Sequence, residues 1–181
     1  METKIFGDNK LVIKQINKAD LKKAKDFQEY INSFVAEDAK LLMNKKATLK
    51  DEIKFLENIL KITKRKTKVF LIAKHGDRIV GTVSIELEKW RKNHIGKLGI
   101  AIRNSYREIG LGKYLMAEII KLAKKELHPA PKIIQLEVYT NNKPAINLYK
   151  KMGFKNVAKL SSQVQYKGKL VSEYIMMYKV K

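Results

Sequence analysis

The order of strand-like and helix-like patterns most constrains the fold of this chain. Runs of branched apolar residues are typical of strands, whereas apolar residues spaced three or four positions apart predict one buried face of a helix. The resulting order, β-α-α-β-β-β-α-β-α-β-β, predicts an α/β fold of the α+β type. We predict strands at 11–16, 69–73, 79–87, 94–102, 133–138, 154–166 and 170–180, and helices at about 19–35, 48–63, 110–127 and 144–152.

The junction between the predicted strand 94–102 and helix 110–127 has the character of an anion-binding site. It reads Ile-Ala-Ile-Arg-Asn-Ser-Tyr-Arg-Glu-Ile-Gly-Leu-Gly-Lys over residues 100–113. The first turn of a helix exposes unpaired amides and the positive end of the helix dipole, and glycine lets a phosphate approach the backbone closely. Arg103, Arg107 and Lys113 are expected to add positive charge around it.

Three phosphate-binding motifs compete for this junction. A Walker loop requires glycine at 107 and serine or threonine at 114, but the chain has Arg107 and Tyr114. A dinucleotide fingerprint requires a third small residue where Leu115 stands, near the start of a parallel βαβ unit. The pattern that remains is Arg-x-x-Gly-x-Gly at the start of a helix that follows a strand.

A second block lies downstream and reads Asn-Lys-Pro-Ala-Ile-Asn-Leu-Tyr-Lys-Lys-Met-Gly-Phe over residues 142–154. Its apolar positions predict a short helix packed on the sheet, with Gly153 as a left-handed C-terminal cap. The two blocks, in this order and separation, resemble the diagnostic motifs of the GNAT superfamily of acetyltransferases. The resemblance covers about residues 69–178.

The resemblance implies a GNAT fold, in which about four helices flank a mixed, mostly antiparallel sheet of six to seven strands with two splayed central parallel strands. It implies one acetyltransferase domain over 1–181, with a cofactor core at about 69–160 and acceptor-side helices at about 18–62. It also implies acetyl-CoA as the cofactor. The cofactor-binding residues carried over from the family are Ile100, Ala101, Ile102, Arg107, Glu108, Ile109, Gly110, Leu111, Gly112, Lys113, Asn142, Ala145 and Tyr149.

The same resemblance implies direct attack of a primary amine on acetyl-CoA within a ternary complex. Backbone amides near Ile100 and Ile102 are the candidates for stabilising the oxyanion. Tyr149 is the candidate general acid, because a phenol is protonated at neutral pH. Glu137 is the first candidate for the general base and Glu86 the second.

Two other residues bear on the choice of base. Many GNAT members carry glutamate where this chain has Lys97, so the sequence departs from one common pattern. His94, just before the strand, is more typical of a surface histidine than of a proton shuttle. The base therefore stays open between two carboxylates.

The net charge of +21 is concentrated in the second part of the chain. Residues 1–60 carry 12 basic and 10 acidic residues, whereas residues 61–181 carry 27 basic and 8 acidic residues. A nucleic-acid- or ribosome-associated CoA-binding protein with weak or no catalysis is therefore an alternative function. A peptide or protein amine is the favoured acceptor and a polyamine or amino acid the alternative. Glu37 and Asp38 are candidates for attracting a cationic amine.

Composition limits the remaining classes. The chain has no cysteine and three dispersed histidines, so we expect no metal site. No apolar run approaches the ~20 residues of a membrane-spanning helix, and the N-terminus lacks a signal-peptide pattern. We expect a cytoplasmic monomer or homodimer.

Overall fold

A computed structural model describes residues 1–180. One continuous sheet of eight strands has the order β1-β2-β3-β4-β5-β6-β8-β7, in which only β5 and β6 are parallel neighbours. The strands are β1 Glu2–Phe6, β2 Asn9–Gln15, β3 Lys68–His75, β4 Arg78–Leu87, β5 Ile95–Ile102, β6 Ile133–Tyr139, β7 Lys155–Tyr166 and β8 Lys169–Lys179. The α-helices are α1 Ala24–Ala36, α2 Leu49–Lys64, α3 Leu111–Glu126 and α4 Lys143–Lys151.

The mixed, mostly antiparallel sheet and the four α-helices confirm the predicted fold class, but the strand count of six to seven is too low. The missed strand is β1, which forms an edge hairpin with β2 through Gly7, whose φ is +57°. Four of its five residues are exposed. An edge strand with so little burial lacks the alternation on which sequence prediction of strands depends.

The helix boundaries follow from local caps. Asn17 and Asp20 form a capping box that begins a 3₁₀ segment at 18–23, which leads into α1. In α2 the capping box pairs Thr48 with Asp51. The next residue, Glu52, lies on the buried side of α2 with Leu56 and Ile59.

Helices cover both faces of the sheet. On one face α3 and α4 pack on the main core, with Leu115, Met116 and Ile119 fully buried. On the other face, which we call the acceptor face, α1 and α2 form a second cluster with Phe70 and Ile72 of β3. In α2, Leu56 and Ile59 are buried in this cluster, whereas Ile53 is 38% exposed.

Candidate active site

A gap between β5 and β6 forms the centre of the candidate site. The two strands are in register through three residue pairs, from Ile95 with Ile133 to Lys97 with Gln135, and then separate. Beyond this point β6 remains paired with β8 on its other side. The predicted splay of the parallel strands is therefore present, and it leaves the second half of β5 without a partner on one side.

The hydrogen-bond alternation of the β4–β5 ladder determines which amides face this gap. Arg103 N donates to Val80 O at 2.9 Å, and Glu88 N donates to Ile95 O at 2.8 Å. In an antiparallel pair, alternate residues direct both backbone groups at the same neighbour. The odd-numbered residues of β5 therefore face β4, and the amides of Ile100 and Ile102 point into the gap, where oxyanion donors would be required.

The turn before α3 supplies a second set of free donors. None of the backbone amides of residues 108–113 donates to an acceptor within residues 1–180, and the first helical bond runs from Tyr114 N to Gly110 O at 3.1 Å. Glu108 and Gly110 have φ values of +64° and +88°. Consecutive free amides at a helix N-terminus form a cradle for a phosphate group.

Gly112 shows how closely the turn, β5 and α4 approach one another. A Cβ atom at this position would lie 3.0 Å from Leu148 Cδ2 and 3.4 Å from Ile102 Cδ1. Glycine therefore favours the close packing of α3 against α4, because a side chain here would press on Leu148. The same contact brings the amide cradle next to the open end of the gap.

The charged residues around the turn have different roles. The Arg107 guanidinium pairs with Glu37 and donates through Nε to Ile102 O at 2.8 Å. Lys113 is exposed at the start of α3. Arg103 differs from the expectation: its side chain is buried, donates to Ile79 O at 2.8 Å and lies over the Tyr30 ring. It therefore stabilises the packing of α1 on the sheet instead of adding charge to the cradle.

Tyr149 lies on α4, about one helical turn after Ala145 and about two turns after Asn142, the residue that precedes the helix. The Tyr149 side chain is 8% exposed, and burial raises its pKa to about 12. Its hydroxyl forms no hydrogen bond with any residue in the described part of the chain. The phenol is thus protonated at neutral pH and has a proton free to donate, as a general acid requires.

The two carboxylates predicted as bases both lie on the acceptor face and are both paired with lysine. Glu137 Oε1 lies 2.9 Å from Lys97 Nζ, and Glu86 Oε2 lies 2.9 Å from Lys68 Nζ. Both side chains are partly exposed, at 40% and 45%. Each lysine therefore occupies one oxygen of its carboxylate.

A cavity of about 220 Å³ lies on the acceptor face between α1, α2 and strands β3–β5. It adjoins Gly99, Ile100 and Ala101, the part of β5 that borders the gap. The remaining residues around it are Phe27, Tyr30, Ile31, Leu41, Glu52, Phe55, Phe70, Thr82 and Ser84. Its walls are mainly aromatic and aliphatic, and Glu52 is the acidic residue among them.

Glu52 was not among the residues predicted from the sequence for the site. A usable signal was present, since Glu52 precedes Leu56 by four positions and Ile59 by seven, which places it on the buried stripe of α2. The predicted acceptor-attracting acids are engaged elsewhere. Glu37 pairs with Arg107, and Asp38 lies 3.4 Å from Lys167 Nζ.

The segment between α1 and α2 covers the open end of the gap. Tyr139, the last residue of β6, donates from its hydroxyl to Leu41 O at 2.9 Å. Lys40 Nζ donates to Asn141 O at 3.1 Å. Together with the Glu37–Arg107 pair, these contacts connect the segment to β6, to the start of α4 and to the turn before α3. Acceptor and cofactor sites are therefore close neighbours.

A splayed parallel pair, an amide cradle and an adjoining cavity are the features that an acyl-CoA-dependent transferase would require. The model of the Acetyltransferase (GNAT) family matches residues 34–154. The chain therefore belongs to the GNAT family, and the sequence predicts acetyl-CoA as the cofactor. The free amides fit this cofactor, since residues 108–113 suit a pyrophosphate and Ile100 and Ile102 suit the thioester arm. Residues 1–180 hold no cluster of three metal-ligating side chains and no helix able to span a membrane.

Two relatives and one solved structure are informative. An N-alpha-acetyltransferase from Sulfurisphaera tokodaii is 36% identical over 49% of this chain and 57% of its own length. The L-amino acid N-acetyltransferase AaaT from Escherichia coli is 29% identical over 54% of this chain and 60% of its own. The chain thus spans less than two thirds of these relatives. The crystal structure of a GNAT-family acetyltransferase from Streptococcus pneumoniae superposes with a TM-score of 0.81 at 25% identity, covering 94% of this chain and 99% of that one.

Proposed function

We propose that this protein transfers the acetyl group of acetyl-CoA to the α-amine of a peptide or protein, by direct attack of the amine in a ternary complex in the cytoplasm. The observation that carries the proposal is the junction of the acceptor-face cavity with β5. Gly99, Ile100 and Ala101 border the cavity, and the Ile100 amide points into the gap. An amine in the cavity and a thioester in the gap would therefore meet beside the same three residues.

The choice of an α-amine is supported by the N-alpha-acetyltransferase from Sulfurisphaera tokodaii, which has the higher identity of the two relatives. The cavity, at about 220 Å³, has room for about one amino-acid residue and not for a long extended molecule. Such a cavity suits the first residue of a peptide, with the remainder of the chain outside. A polyamine would require further acidic positions along its length.

A free amino acid is the second candidate acceptor, since AaaT is an L-amino acid N-acetyltransferase. The two candidates differ in the carboxylate of the acceptor. A free amino acid would bring this negative charge close to Glu52, which would oppose binding. A peptide carries a neutral amide there instead.

Acetyl-CoA and three sets of protein groups have separate roles in the proposed reaction. Acetyl-CoA supplies the acetyl group and a thiol leaving group. The amides of residues 108–113 hold its pyrophosphate, and the amides of Ile100 and Ile102 stabilise the negative charge that develops on the thioester oxygen. Tyr149 donates its phenolic proton to the departing sulfur.

The test is an acceptor panel in which release of free thiol is followed at saturating acetyl-CoA. The panel pairs alanine tetrapeptides that have a free or an acetylated N-terminus with free alanine and with spermidine. We expect thiol release with the free tetrapeptide and none with its blocked counterpart. Equal rates for the two peptides, or activity with spermidine alone, would refute the α-amine as acceptor.

A further inference from the structure

Glu52 is unusual because it is an acidic residue at a buried position of α2. Its side chain is 5% exposed, it belongs to the buried stripe of α2, and it borders the acceptor cavity. Carboxylates are seldom buried to this extent unless a cation or hydrogen-bond donors compensate for the lost hydration. Some group is therefore expected to compensate for the lost hydration of the Glu52 carboxylate.

Among the described residues, nothing does. The carboxyl of Glu52 takes part in no hydrogen bond and no ion pair with residues 1–180. Glu86, Glu137, Glu37 and Asp38 all have a lysine or arginine partner. Glu173 of β8 is also buried without such a partner among the described residues, but it does not border the cavity. In a chain with 39 basic residues, a buried carboxyl without a basic partner marks a position where a cation from outside the protein would bind.

Burial alone raises the pKa of Glu52 to about 7. Tyr30 is the other titratable side chain that borders the cavity; burial raises its pKa, and its hydroxyl donates to Ala101 O at 2.8 Å. Tyr30 therefore stays neutral at physiological pH. Among residues 1–180, no lysine, arginine or histidine borders the cavity. Glu52 can thus take up a proton near neutral pH, which the lysine-paired carboxylates are less suited to do.

The residues around the cavity also indicate which chemical group would be attached to the bound ammonium group. Phe27, Tyr30, Phe55 and Phe70 provide aromatic surface, and Thr82 and Ser84 provide hydroxyl groups on the β4 side. A volume of about 220 Å³ accommodates a compact group only. The complementary ligand is a primary ammonium group attached to a small apolar side chain.

We propose that Glu52 binds the acceptor's ammonium group in this cavity and is the catalytic base, and that the acceptor is a primary amine on a compact apolar residue. The proposal rests on the acetyl transfer proposed above. It assigns the base to a residue on α2 instead of to Glu137 or Glu86.

In the proposed step, the Glu52 carboxylate accepts one proton from the ammonium group, which leaves a neutral amine with a lone pair. This nitrogen forms a bond to the acyl carbon while the bond from that carbon to sulfur breaks. Tyr149 gives its proton to the sulfur and regains one from the new amide nitrogen, and Glu52 releases its proton to solvent.

The test compares Glu52→Gln with Glu57→Gln, a matched control on the exposed face of the same helix. Rates are measured from pH 5.5 to 9 with tetrapeptides that begin with alanine, leucine or aspartate, and CoA affinity is measured by calorimetry. For Glu52→Gln we expect kcat/KM to fall about 100-fold or more, the acidic limb near pH 7 to disappear, and CoA affinity to stay within threefold. Glu57→Gln, Glu137→Gln and Glu86→Gln should keep this limb, and Glu52→Asp should partly restore the rate.

The proposal is overturned if Glu52→Gln keeps its rate within threefold, or if the acidic limb disappears in Glu137→Gln or Glu86→Gln instead. The proposed preference for an apolar first residue is overturned if the peptide that begins with aspartate is acetylated as fast as the peptide that begins with leucine. A wild-type enzyme that binds CoA but acetylates none of the peptides would refute both this proposal and the proposed function. An active wild type with an equally active Glu52→Gln variant would refute the role of Glu52 alone.

Discussion

The free energy of unfolding of the Glu52→Gln variant, relative to wild type, should increase as the pH rises. Glu52 has a folded-state pKa of about 7 against an ordinary value of 4.5. Below pH 4 the carboxyl is protonated in both states and the raised pKa has no effect. Between these values the unfolded chain loses the proton while the folded chain retains it, so the free energy of unfolding falls as the pH rises. Above pH 8 the loss is complete.

The magnitude follows from the size of the pKa difference. Each pKa unit corresponds to about 1.4 kcal/mol, so the full loss is about 3 kcal/mol. This is an upper limit, because water in the adjoining cavity would reduce the cost of burying the charge. In a chain of this length, the difference corresponds to about 6–12 °C in melting temperature.

Urea denaturation at pH 5 and at pH 8.5 measures the effect. The free energy of unfolding of Glu52→Gln, relative to wild type, should increase by about 2–3 kcal/mol between the two pH values. Glu57→Gln should show no such change, since its carboxyl is solvated in both states. If the Glu52→Gln difference is the same at both pH values, the carboxyl has a compensating partner in solution and the argument for an external cation fails.

Two further substitutions test the cofactor side of the site. Gly112→Glu should raise the KM for acetyl-CoA at least tenfold over Gly112→Ala, because both variants press on Leu148 but only glutamate places a negative charge at the amide cradle; equal KM values in steady-state kinetics would contradict this placement of the pyrophosphate. Tyr149→Phe should lower kcat about 100-fold with an unchanged KM for acetyl-CoA, because only the proton donor is removed; a wild-type kcat would exclude Tyr149 as the acid.

The cofactor-binding residues could be proposed from the sequence because they are local in the chain. The turn at residues 107–112 and the block at 142–154 each consist of neighbouring residues whose spacing reflects a strand–turn–helix or helix–cap geometry. The amides of Ile100 and Ile102 were also predictable, since strand alternation determines where they point. The contact between Gly112 and Leu148 shows that one glycine can serve both ligand approach and packing, which the motif alone did not separate.

The acceptor side was less predictable because its properties depend on contacts between distant segments. Asp51 and Glu52 are adjacent acids of similar chemistry, and only the tertiary packing of α2 exposes one and buries the other. Arg103 likewise reads as a phosphate-binding charge in sequence, but a carbonyl of β4 and the Tyr30 ring hold it on the opposite side. Lysine pairing of Glu86 and Glu137 depends on register across four strands, β3 to β6.

Site mapping of the product tests the central claim most directly. A peptide with a free N-terminal alanine and one internal lysine is incubated with acetyl-CoA and the enzyme, and tandem mass spectrometry locates the acetyl group. We expect acetylation of the α-amine, because the compact cavity beside Ile100 admits the first residue of a chain. Acetylation of the lysine side chain alone, or of neither amine while CoA binds normally, would contradict the account.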